Sequence, residues 1–280
     1  MKINKNSLQA KLNNLAKEKG VHVNVLLVSF FFDAFIERLS QSRYSKNFIF
    51  KGGFYLATLL GVENRYTADI DFLLRDEKME PENLKEIIGE VLKIPADDSI
   101  TFEISNISRI RDEDSYGGYS ILLTGHLENI RQNFHVDVAT GDPVTPSSID
   151  YSYKRLLDDG VIRFKAYNLE TVLAEKLQTI LARGVLNSRC KDFYDIFIIG
   201  KLRSEQVDLA DLKSAFEKTC VYRKTIFSKE NADEILTQIS QNETMHSRWK
   251  NYARKSTFAK SVSFGETVAA CKEMLEKALA

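Results

Sequence analysis

The chain has 280 residues, 28% charged and 44% hydrophobic, the balance of a globular protein able to bury a core. Its 39 basic and 39 acidic side chains cancel, which excludes a uniformly basic nucleic-acid coat, and three scattered cysteines (Cys190, Cys220, Cys271) fit neither a disulfide framework nor a zinc ribbon. The N-terminal MKINKNSLQAKL lacks the apolar stretch of a leader and the run VHVNVLLVSFFF is too short to span a bilayer, so a soluble, cytoplasmic protein without membrane partners is expected.

In chain order, Ser7 is placed to cap an amphipathic helix through LQAKLNNLAKEK, which Gly20 closes. A second helix over Val25–Leu39 is apolar on most faces and should be buried. Phe48-Ile49-Phe50 reads as a short strand leading into Lys51-Gly52-Gly53, and the helix FYLATLL ends at Gly61. ADIDFLL then reads as a strand, and PENLKEIIGEVLKI as a helix with Pro81 at its start. Three β-rich runs follow, ITFEISNISRIR, YSILLTGHLE and NFHVDVAT, with turn signals at Tyr116-Gly117-Gly118 and Glu128-Asn129, as in an antiparallel meander. Beyond the loop GDPVTPSS comes one more short strand, VIRFKAY. The rest is helical, through NLETVLAEKLQTILAR, RCKDFYDIFIIGKL, DLKSAFEKT and GETVAACKEMLEKAL. The expected architecture is α/β (α+β): an N-terminal helical extension (1–44), a core with a mixed, partly antiparallel sheet (45–165), and a helical C-terminal domain (166–280).

Zero net charge conceals a segregation. Residues 1–62 carry +6, residues 63–142 carry −10 and residues 143–280 carry +4. An acidic block between basic flanks suits divalent cations and the phosphates that accompany them, and equally suits a solvated acidic face.

The sharpest local feature is Asp69-Ile70-Asp71. On a strand, residues two apart share a face, so both carboxylates project together while Ile70 enters the core. Such an oxygen-rich pair suits Mg²⁺ or Mn²⁺, although an exposed strand edge gives the same pattern. Asp137, flanked by Val136 and Val138 in a later strand, needs a partner. That partner is a basic side chain or, if the two strands are neighbours, a shared pair of metals with Asp69 and Asp71. Gly52-Gly53 sits where a strand gives way to a helix, a place where backbone N–H groups can approach a phosphate, or simply a tight turn. Arg65 and Thr67 lie just before the carboxylates and can hold the same phosphates. The four histidines (His22, His126, His135, His246) have no metal-like spacing; His135, two residues from Asp137, is a site neighbour if the strand is regular, and core packing is the expected role for it. Helix packing is likewise expected for Trp249, and a small buried side chain for Cys190.

The run KGGFYLATLLGVENRYTADIDFLL, with the later VDV, resembles the polymerase-beta-like nucleotidyltransferase fold, and more narrowly the AbiEii/AbiGii toxin family. The similarity extends to RLSQSRYSKNFIFKGG, RIRDEDSYGGYSI, AEKLQTILARGVLNSRCKDFYDI and HSRWKNYARKS, nearly the whole chain in order. It implies a nucleotidyltransferase core with Gly52, Gly53, Asp69 and Asp71 as the first motif and Asp137 as a strand aspartate. It further implies Lys176 in an Ala-Glu-Lys-Leu helix, and Arg189, Lys191, Asp192 and Asp195 as an Arg-x-Lys-Asp-x-x-Asp helix. The second glycine stands where some relatives carry serine, so backbone amides must cradle the phosphates. The resemblance implies Mg²⁺-dependent transfer of a nucleoside monophosphate from an NTP to an RNA acceptor such as the tRNA acceptor end. The enzyme would be the toxin of a toxin–antitoxin or phage-defence pair, with a separate antitoxin protein. Asp69, Asp71 and Asp137 would hold the metals and Lys176 would offset phosphate charge. Lys176 and Arg183, seven apart, share a helix face. With Arg189 and Lys191 they can neutralise a triphosphate while Asp192 holds Lys176 or Arg189, or else Lys191 and Asp195 merely pair on a solvated face. Two rivals remain: a catalytically silent nucleotide- or RNA-binding protein of the same fold, and a glycosyltransferase whose Asp-x-Asp holds a nucleotide sugar.

Overall fold

A computed structural model of the chain describes residues 3–110 and 117–279. Most of RIRDEDSY, including Tyr116 of the expected turn, lies outside the described residues. The chain divides into two compact units, residues 1–141 with 149–166, and residues 142–148 with 167–280. Residues 1–44 therefore belong to the same unit as the sheet, and the segment 142–148 to the helical unit.

The first unit contains α1 (Lys5–Lys19), α2 (Val23–Gln41), β1 (Phe48–Lys51), α3 (Gly52–Leu60), β2 (Asp69–Leu74), α4 (Pro81–Leu92), β3 (Thr101–Arg109), β4 (Gly118–Leu127), β5 (Ile130–Thr140), β6 (Ile149–Lys154) and β7 (Val161–Ala166). The N-cap of α1 is Asn4, whose side chain accepts from Ser7 N–H, so Ser7 lies inside the helix rather than capping it. Gly20 ends α1 in the left-handed conformation, φ 64°. The seven strands form one sheet in the order β3-β4-β5-β2-β1-β7-β6. Pairs β2/β5 and β1/β7 are parallel and the others antiparallel, which makes the sheet mixed. Strand β6 was not expected; it pairs with β7 alone, at the edge of the sheet.

One face of this sheet is apolar. Phe50, Ile70, Phe72, Ile121, Phe134 and Val136 all lie there, each buried. Helices α2 and α3 cover it through aromatic edges: the Phe32 ring stands 5.2 Å from Phe134 and 4.7 Å from Phe54. Gly125 faces the same way, and a Cβ there would overlap the Phe31 ring. Within α2, Asp33 is buried and accepts from Tyr153 Oη at 2.5 Å and from Leu156 N–H at 2.6 Å, tying the helix to the end of β6.

The second unit contains α5 (Leu169–Arg183), α6 (Cys190–Arg203), α7 (Leu209–Tyr222), α8 (Lys229–Gln241), α9 (Glu243–Lys255) and α10 (Phe264–Leu279). Helix α5 packs on α6 and α7, and α10 packs on α6, α7 and α8. Asn168 caps α5 by accepting from Thr171 N–H, and its amide donates to Thr145 C=O in the segment 142–148. Trp249 is buried and donates from Nε1 to Val262 C=O, and Cys190 is buried at the start of α6. No single helix among the described residues is long and apolar enough to cross a membrane.

Candidate functional site

The face of the sheet opposite the aromatic core carries the polar groups. Strand β2 places Asp69 and Asp71 on that face and turns Ile70 inward. The parallel register sets Asp71 directly beside Asp137, and Asp69 beside His135. Neighbouring strands lie about 4.8 Å apart. Across β1, Lys51 is the partner of Asp71. Across β4, Ser120 is the partner of Asp137. A row of charged and polar side chains thus crosses four strands: Lys51, Asp71, Asp137, Ser120.

The glycine pair is built into this row. Gly52 has φ +72°, and any Cβ on it would overlap the Asp71 carboxylate. Only glycine lets α3 begin so close to β2. Gly53 N–H, at the same helix start, donates to Asp71 Oδ2 at 3.2 Å. A Cβ on Gly53 would come within 3.0 Å of the Thr67 side chain and 3.1 Å of Arg65 Nη2. Thr67 and Arg65 therefore fill the space that a larger side chain at position 53 would need. Thr67 donates to Asp69 Oδ1, and the buried Arg65 donates to Tyr66 C=O. Gly52, Gly53, Arg65, Thr67, Asp69, Asp71 and Asp137 are all gathered within the first unit.

His135 is exposed on the polar face, not packed in the core. The period-two alternation that buries Phe134 and Val136 is what turns it outward. Ser120 Oγ donates to Asp137 Oδ1 at 2.6 Å and lies 2.9 Å from His135 Nδ1.

Three carboxylates on one face are an oxygen donor set of the kind that suits Mg²⁺ or Mn²⁺. Each is engaged by a protein donor: Gly53 N–H for Asp71, Ser120 for Asp137 and Thr67 for Asp69. Among the described residues no three His, Cys, Asp or Glu side chains are gathered tightly enough to hold an ion as they stand. The residues fit a metal in donor type and in face, and each of these donors occupies one oxygen of a carboxylate that has about four acceptor sites.

In the second unit, Lys176 Nζ bonds Asp192 Oδ1 at 2.9 Å and Asp195 Oδ2 at 2.7 Å. Both aspartates have no exposed surface. Arg189 Nε donates to Asp192 Oδ2 at 2.7 Å while keeping 43% of its side chain exposed. Asp195 is thus a partner of Lys176 on the neighbouring helix, which replaces the i,i+4 pairing with Lys191 that the spacing also allowed. Burial opposes the Lys176 charge, but Asp192 and Asp195 outweigh it and raise the ammonium's pKa. Burial likewise raises Asp192, yet Lys176 and Arg189 hold it well below the ordinary carboxylate range. Burial pushes the Cys190 thiol up to about 11, leaving it an inert small side chain.

Two cross-strand residues on the polar face, Lys51 and Ser120, escape a sequence reading. The strand signal fades at Phe50, one residue short of Lys51, and Ser120 is one serine among many until the β4/β5 register is known.

The profile of the nucleotidyl transferase AbiEii toxin family, type IV toxin–antitoxin system, matches residues 34–270. The chain belongs to this family. As an AbiEii-family nucleotidyltransferase it is a toxin component of a type IV toxin–antitoxin system and implies a cognate antitoxin. Among solved structures, the chain is similar to a candidate nucleotidyltransferase from Helicobacter pylori (15% identity, TM-score 0.54, covering 92% of this chain and 96% of that one). It is also similar to JHP933 from Helicobacter pylori (15% identity, TM-score 0.52, covering 92% and 91%). At that identity the likeness is one of fold. A search among curated proteins found no match. The AbiEii-family match sets aside the sugar-nucleotide reading of Asp69-x-Asp71.

Proposed function

We propose that this AbiEii-family chain transfers a nucleoside monophosphate from an NTP to a hydroxyl of an RNA acceptor, such as the acceptor end of tRNA. The acceptor oxygen forms a bond to the α-phosphorus, the bond from that phosphorus to the bridging oxygen breaks, and pyrophosphate leaves with the electron pair. The acceptor's proton passes to a carboxylate or to water. The observation that carries this reading is the register that sets Asp71 beside Asp137, with Asp69 on the same face and the Gly52–Gly53 helix start against Asp71.

In this proposal Asp69, Asp71 and Asp137 hold Mg²⁺, or Mn²⁺ in its place. The metal, when bound, would supply positive charge to the phosphate oxygens and the leaving pyrophosphate. The chain's own part is to orient. Gly52 and Gly53 keep side chains away from a helix start, where the potential favours anions and where the Gly53 N–H orients the Asp71 carboxylate. Thr67 and Arg65 flank that start. Phosphate neutralisation by Lys176, Arg189 and Lys191, with Asp192 and Asp195 holding the lysine, is the proposed task of the second unit's cluster. The setting we infer is cytoplasmic, where NTPs and RNA are found, and the consequence is growth arrest in phage defence or toxin–antitoxin control.

A second reading, a silent protein that holds nucleotide or RNA, is favoured by the engagement of each carboxylate with a protein donor. One experiment separates the two. The purified chain is incubated with each labelled NTP and total cellular RNA, with and without Mg²⁺. Transfer that needs the metal and disappears in a folded Asp69→Ala variant supports the enzyme. Metal-dependent NTP binding without incorporation supports the silent binder.

A further inference from the structure

The polar face of the sheet carries a hydrogen-bond chain with a single possible direction. Ser120 Oγ lies between Asp137 Oδ1 at 2.6 Å and His135 Nδ1 at 2.9 Å. A hydroxyl has one hydrogen to give, and an ionised carboxylate can only accept. The serine hydrogen therefore goes to Asp137, and the imidazole nitrogen must be the donor to Ser120 Oγ. This fixes the ring with its hydrogen on Nδ1, and every link is set by backbone register: Ser120 opposite Asp137, and His135 two residues before Asp137 on the same face and beside Asp69. A carboxylate gripped at one oxygen by an oriented hydroxyl has lost most of its rotational freedom.

We infer that Ser120 and His135 are positioning residues for Asp137, holding its carboxylate in the rotation from which it meets a divalent cation. The inference rests on the proposed metal-dependent transfer and adds to it two residues that touch neither metal nor nucleotide. Outer partners of a ligating carboxylate typically change metal affinity or activity roughly 10–100-fold when removed.

The test titrates Mn²⁺ calorimetrically onto the full chain with non-hydrolysable analogues of the four NTPs, and measures kcat and the KM for NTP beside it. Ser120→Ala and His135→Leu are each expected to weaken Mn²⁺ binding by about tenfold or more and to lower kcat, with the KM for NTP nearly unchanged. Ser120→Thr keeps the hydroxyl, and His135→Asn puts an amide N–H near the place of Nδ1, so both should recover most of the loss. A merely structural role would lower the melting temperature without this split and without rescue. Both His135 variants sit at an exposed position and give an independent reading should Ser120→Ala fold poorly. Mn²⁺ binding by Ser120→Ala and His135→Leu as tight as wild type, with Asp137→Asn losing it, overturns the positioning role and leaves the transfer reading standing. A wild-type chain that neither binds Mn²⁺ nor transfers from any NTP overturns the transfer reading, and the positioning role with it.

Discussion

Lys176 is held by two carboxylates with no exposed surface, so its ammonium is as much a structural ion as a chemical one. Replacing it by methionine removes the ammonium that both buried carboxylates bond, while Arg189 keeps its bond to Asp192. A lone partner left in such a pair typically costs about 3–5 kcal/mol, so Lys176→Met should melt well below wild type in a thermal scan. Loss of activity in that variant counts toward chemistry only if the fold survives. The pH dependence has a definite sign. The Asp192 pKa is depressed on folding, so its contribution is present above the unfolded carboxylate pKa of about 4 and is lost as the pH falls through the folded value. Asp33 runs the other way. Burial pushes it up to about 7, despite the Leu156 N–H, Tyr153 and Arg155. Its contribution is present below about pH 4 and is lost as the pH rises through 7, a swing of up to roughly 4 kcal/mol. Asp33→Asn should remove that slope: its melting temperature relative to wild type should climb between pH 5 and 8, and a constant difference would refute the charged-burial argument.

At the scale of elements, α5 depends on a cap that does two things. Asn168 accepts from Thr171 N–H and donates to Thr145 C=O. Asn168→Ala should cost about 1–2 kcal/mol, read from denaturant unfolding. Asn168→Asp should cost less because the cap bond survives. The helices and the central strands were legible because their apolar periods are strong and their punctuation is clear, as at Gly20, Gly61 and Pro81. The ends were less so: Asn4 and Ser7 are both good cap residues three apart, and only the backbone decides between them. Strand β6 was missed because IDYSYK follows a Pro- and Ser-containing loop and alternates weakly, as an edge strand with one partner can. Period two placed Asp69 and Asp71 on one face, but nothing local states that β2 and β5 are parallel neighbours, because more than fifty residues separate them. The Ser120–His135 relation is less legible still, since it runs diagonally across a pair of strands. His135 differs from the expected core role because the alternation that buries Phe134 and Val136 turns it outward.

For the whole molecule, the charge blocks seen along the chain are not blocks in space. All of residues 1–62, and all of residues 63–142 except Asp142, fall in the first unit. Basic side chains of the former answer acidic ones of the latter: Arg38 grips Asp98 through two bonds of 2.6 and 2.8 Å, and Arg43 meets Glu90 at 2.9 Å. The basic N-terminal flank is therefore partly committed within the fold instead of being reserved for phosphates. The segment 142–148 belongs to the second unit, where Arg223 Nη2 donates to Asp142 Oδ1 at 3.2 Å. Asp142→Ala should weaken that unit by about 1–3 kcal/mol. The sole tryptophan, Trp249, lies in the same unit, so its fluorescence midpoint should fall by a few degrees. An unmoved midpoint would mean that the segment lends the helices no stability.

Because the polypeptide leaves the sheet for seven residues and then returns to add two more strands, no single break in the chain yields two self-sufficient pieces. A cut after residue 141 deprives the sheet of its β6–β7 hairpin, and a cut after residue 166 deprives the helices of the segment that satisfies Asn168 and Arg223. A toxin assembled this way resists being halved by one nick, and a switchable version split into two genes would need its junction inside an exposed turn of one body, such as that around Lys224.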